Sequence, residues 1–548
     1  MPATVVESAG RPGLLRQIGF VTAASVVVAN MIGSGIFTTS GFIARDLGNP
    51  LALLLVWAVG GILALAGALS YSELGAALPE AGGEYVYLRE AYSPLVGFLS
   101  GWMSFLIGFS GAIASTALLF AYYLAHFFPA VAPPRAAGIA VAVALVWALT
   151  LVHVIGVRTG GAMQRFLTFA KVLAIAGLLV AGLLLGKGTT AHFQPAAPAN
   201  WGNFPISLVF VMFAYSGWNA AAYLAGEIRN PGRTLPLALV AGTLLVTVIY
   251  LALNCFYLYA LSIGEMSGVQ AIAEKASIPA FGQAATHVVS ALIMLSISAA
   301  TSAMILAGPR VYYAMARDRV FPQGIAAIHP GFQTPARAII LQSVWVTVLI
   351  VFGKSLEGLM MYTGFALVVF SAQAVLAVFV LRARRPDLPR PYRVPGYPFV
   401  PALYVAASVW MGIFTVRGRP WESLLGLLTV AYGIPVYVFC SRNRSLRALW
   451  NGEVPLSETF WIYQVLGGSF LGFALFLAIS SRLATSLVAP VYVTFWIFVG
   501  PAVWRSARNY NGRKIWAALA MLLAAGGTVV GAACGLIVFV LNLPRFLY

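Results

Sequence analysis

Apolar and polar positions along the chain alternate in long blocks: extended apolar runs separated by short polar joints. The runs fall at 18–38, 48–78, 95–128, 137–156, 163–185, 204–225, 235–262, 278–316, 336–353, 358–381, 399–416, 420–440, 460–481, 486–504 and 515–542. A helix needs about 20 apolar residues to cross a bilayer. The pattern therefore predicts an all-α polytopic membrane protein with fifteen spans. The runs at 95–128 and 278–316 exceed one crossing and are expected to continue as helix beyond the bilayer. Residues 1–17 read as a tail; no small-residue cleavage pattern follows the first run, so it is expected to stay as the first span.

Two runs carry helix-weak patches at their middles. The first, "VVVANMIGSGIF" (26–37), places Gly33 and Gly35 around Ser34, one turn after Asn30. The sixth, "FAYSGWNAAAYLAGE" (213–227), places Ser216, Gly217 and Asn219 at the matching midspan position. Glycine costs a helix about 1 kcal/mol relative to alanine. One explanation is close packing, since small residues let membrane helices approach. The other follows from the pairing of the patches five spans apart, the pattern of two inverted five-span repeats with substrate held where both helices unwind.

Composition narrows the class. The chain of 548 residues is 61% hydrophobic and 9% charged, against about 25% charged in soluble domains. Its formal charge of +18 raises the question of nucleic acid, but the distribution answers it. When joints are assigned to alternate sides, one side carries 23 of the 33 Lys and Arg and the other 9, with Lys171 inside a span. That asymmetry places the N-terminus in the cytoplasm and makes the charge a topology signal. Cys255, Cys440 and Cys534 lie in separate apolar runs, with neither disulfide nor metal spacing. The histidines (His126, His153, His192, His287, His329) show no paired spacing. Neither a nucleophile–base constellation nor a phosphate loop appears, so an enzyme is disfavoured and no cofactor is expected.

A broken helix in hydrocarbon frees backbone groups that protein, water or ligand must satisfy. The N–H groups around Ser34, Gly35 and Ile36 would favour an anion such as a carboxylate. Carbonyls near Phe213 and Ala214 would favour an ammonium. Together they match an α-amino acid. Lys171 is the one basic residue deep in a span, at an insertion cost of about 2.5–3.5 kcal/mol that apolar neighbours offset. Either it snorkels to the interface or it supplies a fixed charge to the site. Glu73 and Glu227 lie at span ends, positioned to pair with loop arginines as gate residues. Trp218 and Asn219 are ambiguous between packing and binding, and Tyr215 between a gate and an interhelical contact.

Three motifs, "IGSGIF", "FAYSGWN" running into "GEIRNPGRTLP", and "GPRVYYAMARDRVFP" with "HPGFQTPARA", resemble the amino acid–polyamine–organocation superfamily. The span-six patch is most similar to its L-type amino acid transporter branch. The likeness covers about residues 14–441 and implies a twelve-span LeuT-type core working by alternating access. Repeat one would occupy about 18–185, repeat two about 204–381, and spans eleven and twelve about 399–440. A linker, 442–458, then leads to an accessory three-span module, 459–548, similar to bacterial membrane modules. That likeness implies residence in a bacterial inner membrane.

The same resemblance implies that Gly33, Ser34 and Gly35, after Met31 and Ile32, hold the substrate carboxylate. Phe213, Ala214, Ser216, Trp218 and Asn219 would hold the amine and part of the side chain. Lys171 matches the lysine that fills the vacant sodium site in sodium-independent members. Serine at 216, where many L-type members have glycine, argues against large aromatic substrates. No cysteine stands where eukaryotic relatives link to a glycoprotein, so no such partner is expected. The reading is a sodium-independent exchanger or importer of neutral amino acids. Its alternatives are a proton-coupled amino acid carrier, a polyamine permease and a transport-deficient sensor. Spans one and six carry no acidic residue in their pocket stretches, which disfavours polyamines.

Overall fold

The computed structural model describes residues 14–131, 136–195, 197–283, 285–352, 356–418, 420–441, 449–453, 455–456, 459–460, 464, 482–512 and 514–542. Helix is its dominant element. Among the described residues ten helices are long and apolar enough to cross a membrane, and shorter apolar helices stand at Trp201–Tyr215, Ala336–Val351 and Thr429–Ser441. The chain is a multi-pass membrane protein. Fourteen of the fifteen runs coincide with described helix; the run at 460–481 lies almost wholly outside the described residues.

Helix boundaries follow local chemistry. Span two, Pro50–Ala77, opens on Pro50 behind Asn49, whose side chain accepts from the Leu51 and Ala52 N–H groups. That is the side-chain cap that an uncapped first turn lacks. Span three starts the same way, with Ser93 capping before Pro94. Within it, Ser104–Gly108 widens into a π-turn. Two carbonyls of this turn accept side-chain donors as well, Ser104 O from Tyr312 and Leu106 O from Trp345.

The described chain falls into two compact units, one running to Asp318 and from Gln323 to Gly426, the other made of Arg319–Pro322 and Leu427–Tyr548. In the larger unit, the first half of span one packs on spans five, seven and eight, and its second half on span six. Leu151, Phe166, Phe169, Leu184 and Val248 are exposed, as residues facing lipid tails would be. In the smaller unit, helices Arg482–Arg508 and Lys514–Asn542 pack along each other. Their core includes Val499, Ala502, Val503, Ala520 and Ala524.

Candidate functional site

Span one breaks where its sequence weakens. Phe20–Met31 is helical, Ile32–Ser34 is not, and helix resumes over Gly35–Leu47. The Ile32 N–H still returns to the Val28 carbonyl at 3.0 Å, and the Gly33 N–H reaches Met31 O at 2.8 Å. Carbonyls left over are taken by other spans. Lys171 Nζ donates to Ile32 O at 2.7 Å, to Ala29 O at 3.0 Å and to Ser296 O at 3.4 Å. An ammonium has three donors, and all three are used. Lys171 is fully buried although Phe166, Phe169 and Leu173 of the same helix are exposed. The snorkelling alternative is thereby corrected: the side chain points inward, and carbonyls replace the solvation that head groups would give.

Nothing in the sequence singles out Tyr250, yet it joins the two breaks. From span seven its hydroxyl donates to Met31 O and lies 3.0 Å from Ala214 O. Span six is helical over Phe204–Tyr215 and turns at Ser216–Asn219 before helix resumes at Ala220. The Ser216 N–H bonds Phe213 O at 3.0 Å. Both carbonyls expected to face an ammonium thus already carry a protein donor. Gly217 has φ +101°, and a Cβ there would stand 2.9 Å from the Asn30 backbone. One on Gly35 would stand 2.5 Å from Ala214 Cα. The glycines therefore serve close packing and backbone release together. The second half of span one starts without a side-chain cap, so its first-turn N–H groups keep their anion-binding capacity.

A cavity of about 20 Å³ lies beside span six, lined by Glu84, Ser216, Trp218, Asn219, Ser371 and Tyr404 among others. It has room for about one water. Of the expected binding residues it takes in Ser216, Trp218 and Asn219. Met31, Ile32, Gly33, Ser34, Gly35, Phe213 and Ala214 do not line it. Trp218 is wedged edge-on against Tyr71 and Tyr404, with ring centroids at 4.7 and 5.9 Å. Tyr215 faces away: its hydroxyl reaches Trp57 O at 3.2 Å, and its ring packs on Trp57 and Tyr250.

An acid reaches the pocket from outside the two broken spans. Spans one and six supply none, but the link between spans two and three inserts Glu84. Its Oε1 accepts from Tyr71 Oη at 2.5 Å and from Asn219 Nδ2 at 2.9 Å. The residue is remote in sequence from both breaks, which is why the patch-by-patch reading passes over it.

Glu73 and Glu227 each meet arginine on the arginine-rich side. Arg382 grips Glu73 at 2.8 and 2.6 Å, and the Val394 N–H adds a bond of 2.7 Å. Arg310 grips Glu227 at 2.8 and 3.2 Å, both side chains 1% exposed. Ahead of span one, Ile18 forms an isolated bridge with the segment after span six: Ile18 N–H to Glu227 O at 2.8 Å, Arg229 N–H to Ile18 O at 2.9 Å. The fold also gathers His126, His287 and Glu274, with His126 Nδ1 3.1 Å from Glu274. Among the described residues, however, no group of three His, Cys, Asp or Glu could hold a metal. Cys255 and Cys440 are free thiols.

Comparison with known proteins agrees with this geometry. Residues 18–440 match the family model described as amino acid permease. The serine/threonine exchanger SteT of Bacillus subtilis is 33% identical over 443 residues, covering 79% of this chain and 98% of that protein. The human b(0,+)-type amino acid transporter 1 is 31% identical over 435 residues, 77% of this chain and 88% of its own length. The mouse large neutral amino acids transporter small subunit 2 is 31% identical over 447 residues, 79% and 83% of the two chains. These are transporters, not enzymes. With its two broken spans in contact and a buried lysine against the first of them, the chain belongs to the amino acid permease family, in the L-type branch of the amino acid–polyamine–organocation superfamily.

Proposed function

We propose that the chain is a secondary active, sodium-independent transporter that exchanges or imports neutral amino acids by alternating access across the cytoplasmic membrane. The observation that carries this reading is Lys171. Its ammonium occupies a cage of three carbonyls at the span-one break. Its Nζ takes the oxygens a sodium ion would need, and an ammonium there repels a second cation.

The uncapped start of the helix at Gly35 supplies N–H groups for the substrate carboxylate. Ser216 and Trp218 border the space left for the side chain, which favours small neutral amino acids. In this reading the arginine-rich side is cytoplasmic. The Glu73–Arg382 and Glu227–Arg310 pairs and the Ile18 bridge then hold that side closed. Residues 18–441 form the transporting core, and 459–548 form an accessory module.

The test is counterflow in proteoliposomes of the full chain, preloaded with unlabelled amino acids. Sodium is replaced by choline in a parallel series. Equal uptake of labelled serine, threonine or leucine in both series supports the proposal. Uptake that requires sodium defeats it, as does binding without flux, which would favour the sensor.

A further inference from the structure

Glu84 brings a carboxyl group into the interior with no cation to meet it. It opens the helix Glu84–Ala91, in the link between spans two and three, and is 3% exposed. Its partners are neutral: Tyr71 Oη, Asn219 Nδ2 and, as a third side chain, Tyr223. Beside it lies the water-sized cavity bordered by Ser216 and Trp218.

Positive groups on the elements packed around it are committed elsewhere. The helix Glu84–Ala91 packs on Pro94–Met103, Pro309–Arg317 and Leu356–Arg384. The first of these has no titratable residue. On the second, Arg310 is held by Glu227 and Arg317 by Glu80, and Tyr312 donates to Ser104 O. On the third, Arg382 is held by Glu73 and Arg384 by the Ala91 carbonyl. Arg89, on its own helix, is held by Asp318, Glu80 and Glu90. The phenols of Tyr87 and Tyr404 complete the titratable surroundings. Among the described residues, Glu84 has no ion-pair partner.

An ionised carboxylate in such a place is costly. Burial pushes the Glu84 pKa up to about 7, against the pull of its hydrogen bonds from Tyr71, Asn219 and Tyr223. Tyr71 and Asn219 still supply two donors to the anion, so both protonation states have somewhere to sit.

We propose that Glu84 is a proton-binding site of the transport cycle, protonated while the arginine-rich side is closed and emptied when that side opens. The step breaks the carboxyl O–H bond and passes the proton to water. The carboxylate left behind keeps the Tyr71 and Asn219 donors, and no group is oxidised or reduced. The site rests on the transport reading above and deepens it: net amino acid uptake is accompanied by a proton.

Two measurements test this. In proteoliposomes, serine uptake is compared with and without an inward proton gradient, with a pH-reporting dye inside. The wild type should be stimulated several-fold, with acidification. In Glu84→Gln the ratio should fall to one, whatever the absolute rate. Stimulation retained in Glu84→Gln, or absent in the wild type, overturns the proposal. So does a variant whose only change is weaker competition by lysine or arginine.

The second measurement needs no transport. The infrared C=O stretch of a protonated carboxyl should titrate near pH 7 in the purified wild type and vanish in Glu84→Gln. No such band overturns the proposal. Serine counterflow without proton stimulation would defeat the proton site alone. Absence of all amino acid flux would defeat the transport reading and with it the place of Glu84 in a cycle, even where the band titrates.

Discussion

The Lys171 ammonium lies 2.7 Å from the carbonyl oxygen of Ile32, at the point where span one stops being a helix. A lysine on span five thus completes a helix end on span one. Lys171→Met keeps the length of the side chain and removes its donors. Each orphaned buried carbonyl costs about 1–3 kcal/mol. The melting temperature in detergent should fall, and counterflow should drop by about tenfold or more, the equivalent of about 1.4 kcal/mol in the barrier. Unchanged counterflow would show that the cage is dispensable.

Tyr250 is the second cross-link between the breaks. Tyr250→Phe removes one oxygen and leaves the ring among Trp57 and Tyr215. Met31 O and Ala214 O then lose a shared donor, a cost of about 1–3 kcal/mol. Thermal unfolding and counterflow should both report the loss, whereas Tyr257→Phe, whose hydroxyl has no hydrogen-bond partner among the described residues, should change neither.

Glycine at 35 and 217 is required by the opposite break. Alanine at 35 would meet Ala214 Cα at 2.5 Å, and alanine at 217 would add a strained φ of +101°. Such overpacking costs about 1–3 kcal/mol. Gly35→Ala and Gly217→Ala should each lower the yield of folded protein and abolish counterflow, while Gly177→Ala, with open space around it, should behave as wild type.

Glu227 and Arg310 form an ion pair with both side chains 1% exposed. Losing either partner leaves a buried charge alone, at about 3–5 kcal/mol. Glu227→Gln and Arg310→Met should each unfold at lower temperature, and the double variant should lose less than the sum. Simple additivity would mean that the two side chains act independently.

Glu84 makes stability depend on pH with a definite sign. Folded, its carboxyl keeps a proton to about pH 7; unfolded, it releases it near 4.5. Between those values the folded state binds more protons, so this contribution to stability shrinks as pH rises and is gone above the folded pKa. The melting temperature of the wild type minus that of Glu84→Gln should therefore decline from pH 4.5 to 7. A flat or rising difference contradicts the burial argument.

Much of this was legible from residue order. Long apolar runs name spans, because lipid allows few other structures, and weak patches such as Gly33-Ser34-Gly35 name the breaks. Lys171 stood out as a charge in hydrocarbon. Tyr250 and Glu84 did not, since an aromatic in a span is ordinary and a glutamate in a joint is expected. Their meaning arises from three-dimensional placement: Tyr250 against two carbonyls 183 positions apart (Met31 and Ala214), Glu84 against Asn219, 135 positions away. Periodicity along one helix carries no record of what another helix presents to it.

The pairing of Ile18 with residues 227 and 229 is made by main-chain groups alone. At about 1 kcal/mol net for each hydrogen bond, the pair tilts a two-state equilibrium by roughly thirtyfold. A bias of that size favours one arrangement without trapping the molecule in it. Ile18 and Ile228 are themselves buried in the core, so apolar packing holds the same contact. A change that removes an N–H, such as Ile18→Pro or Arg229→Pro, takes away a main-chain bond and resets the ratio.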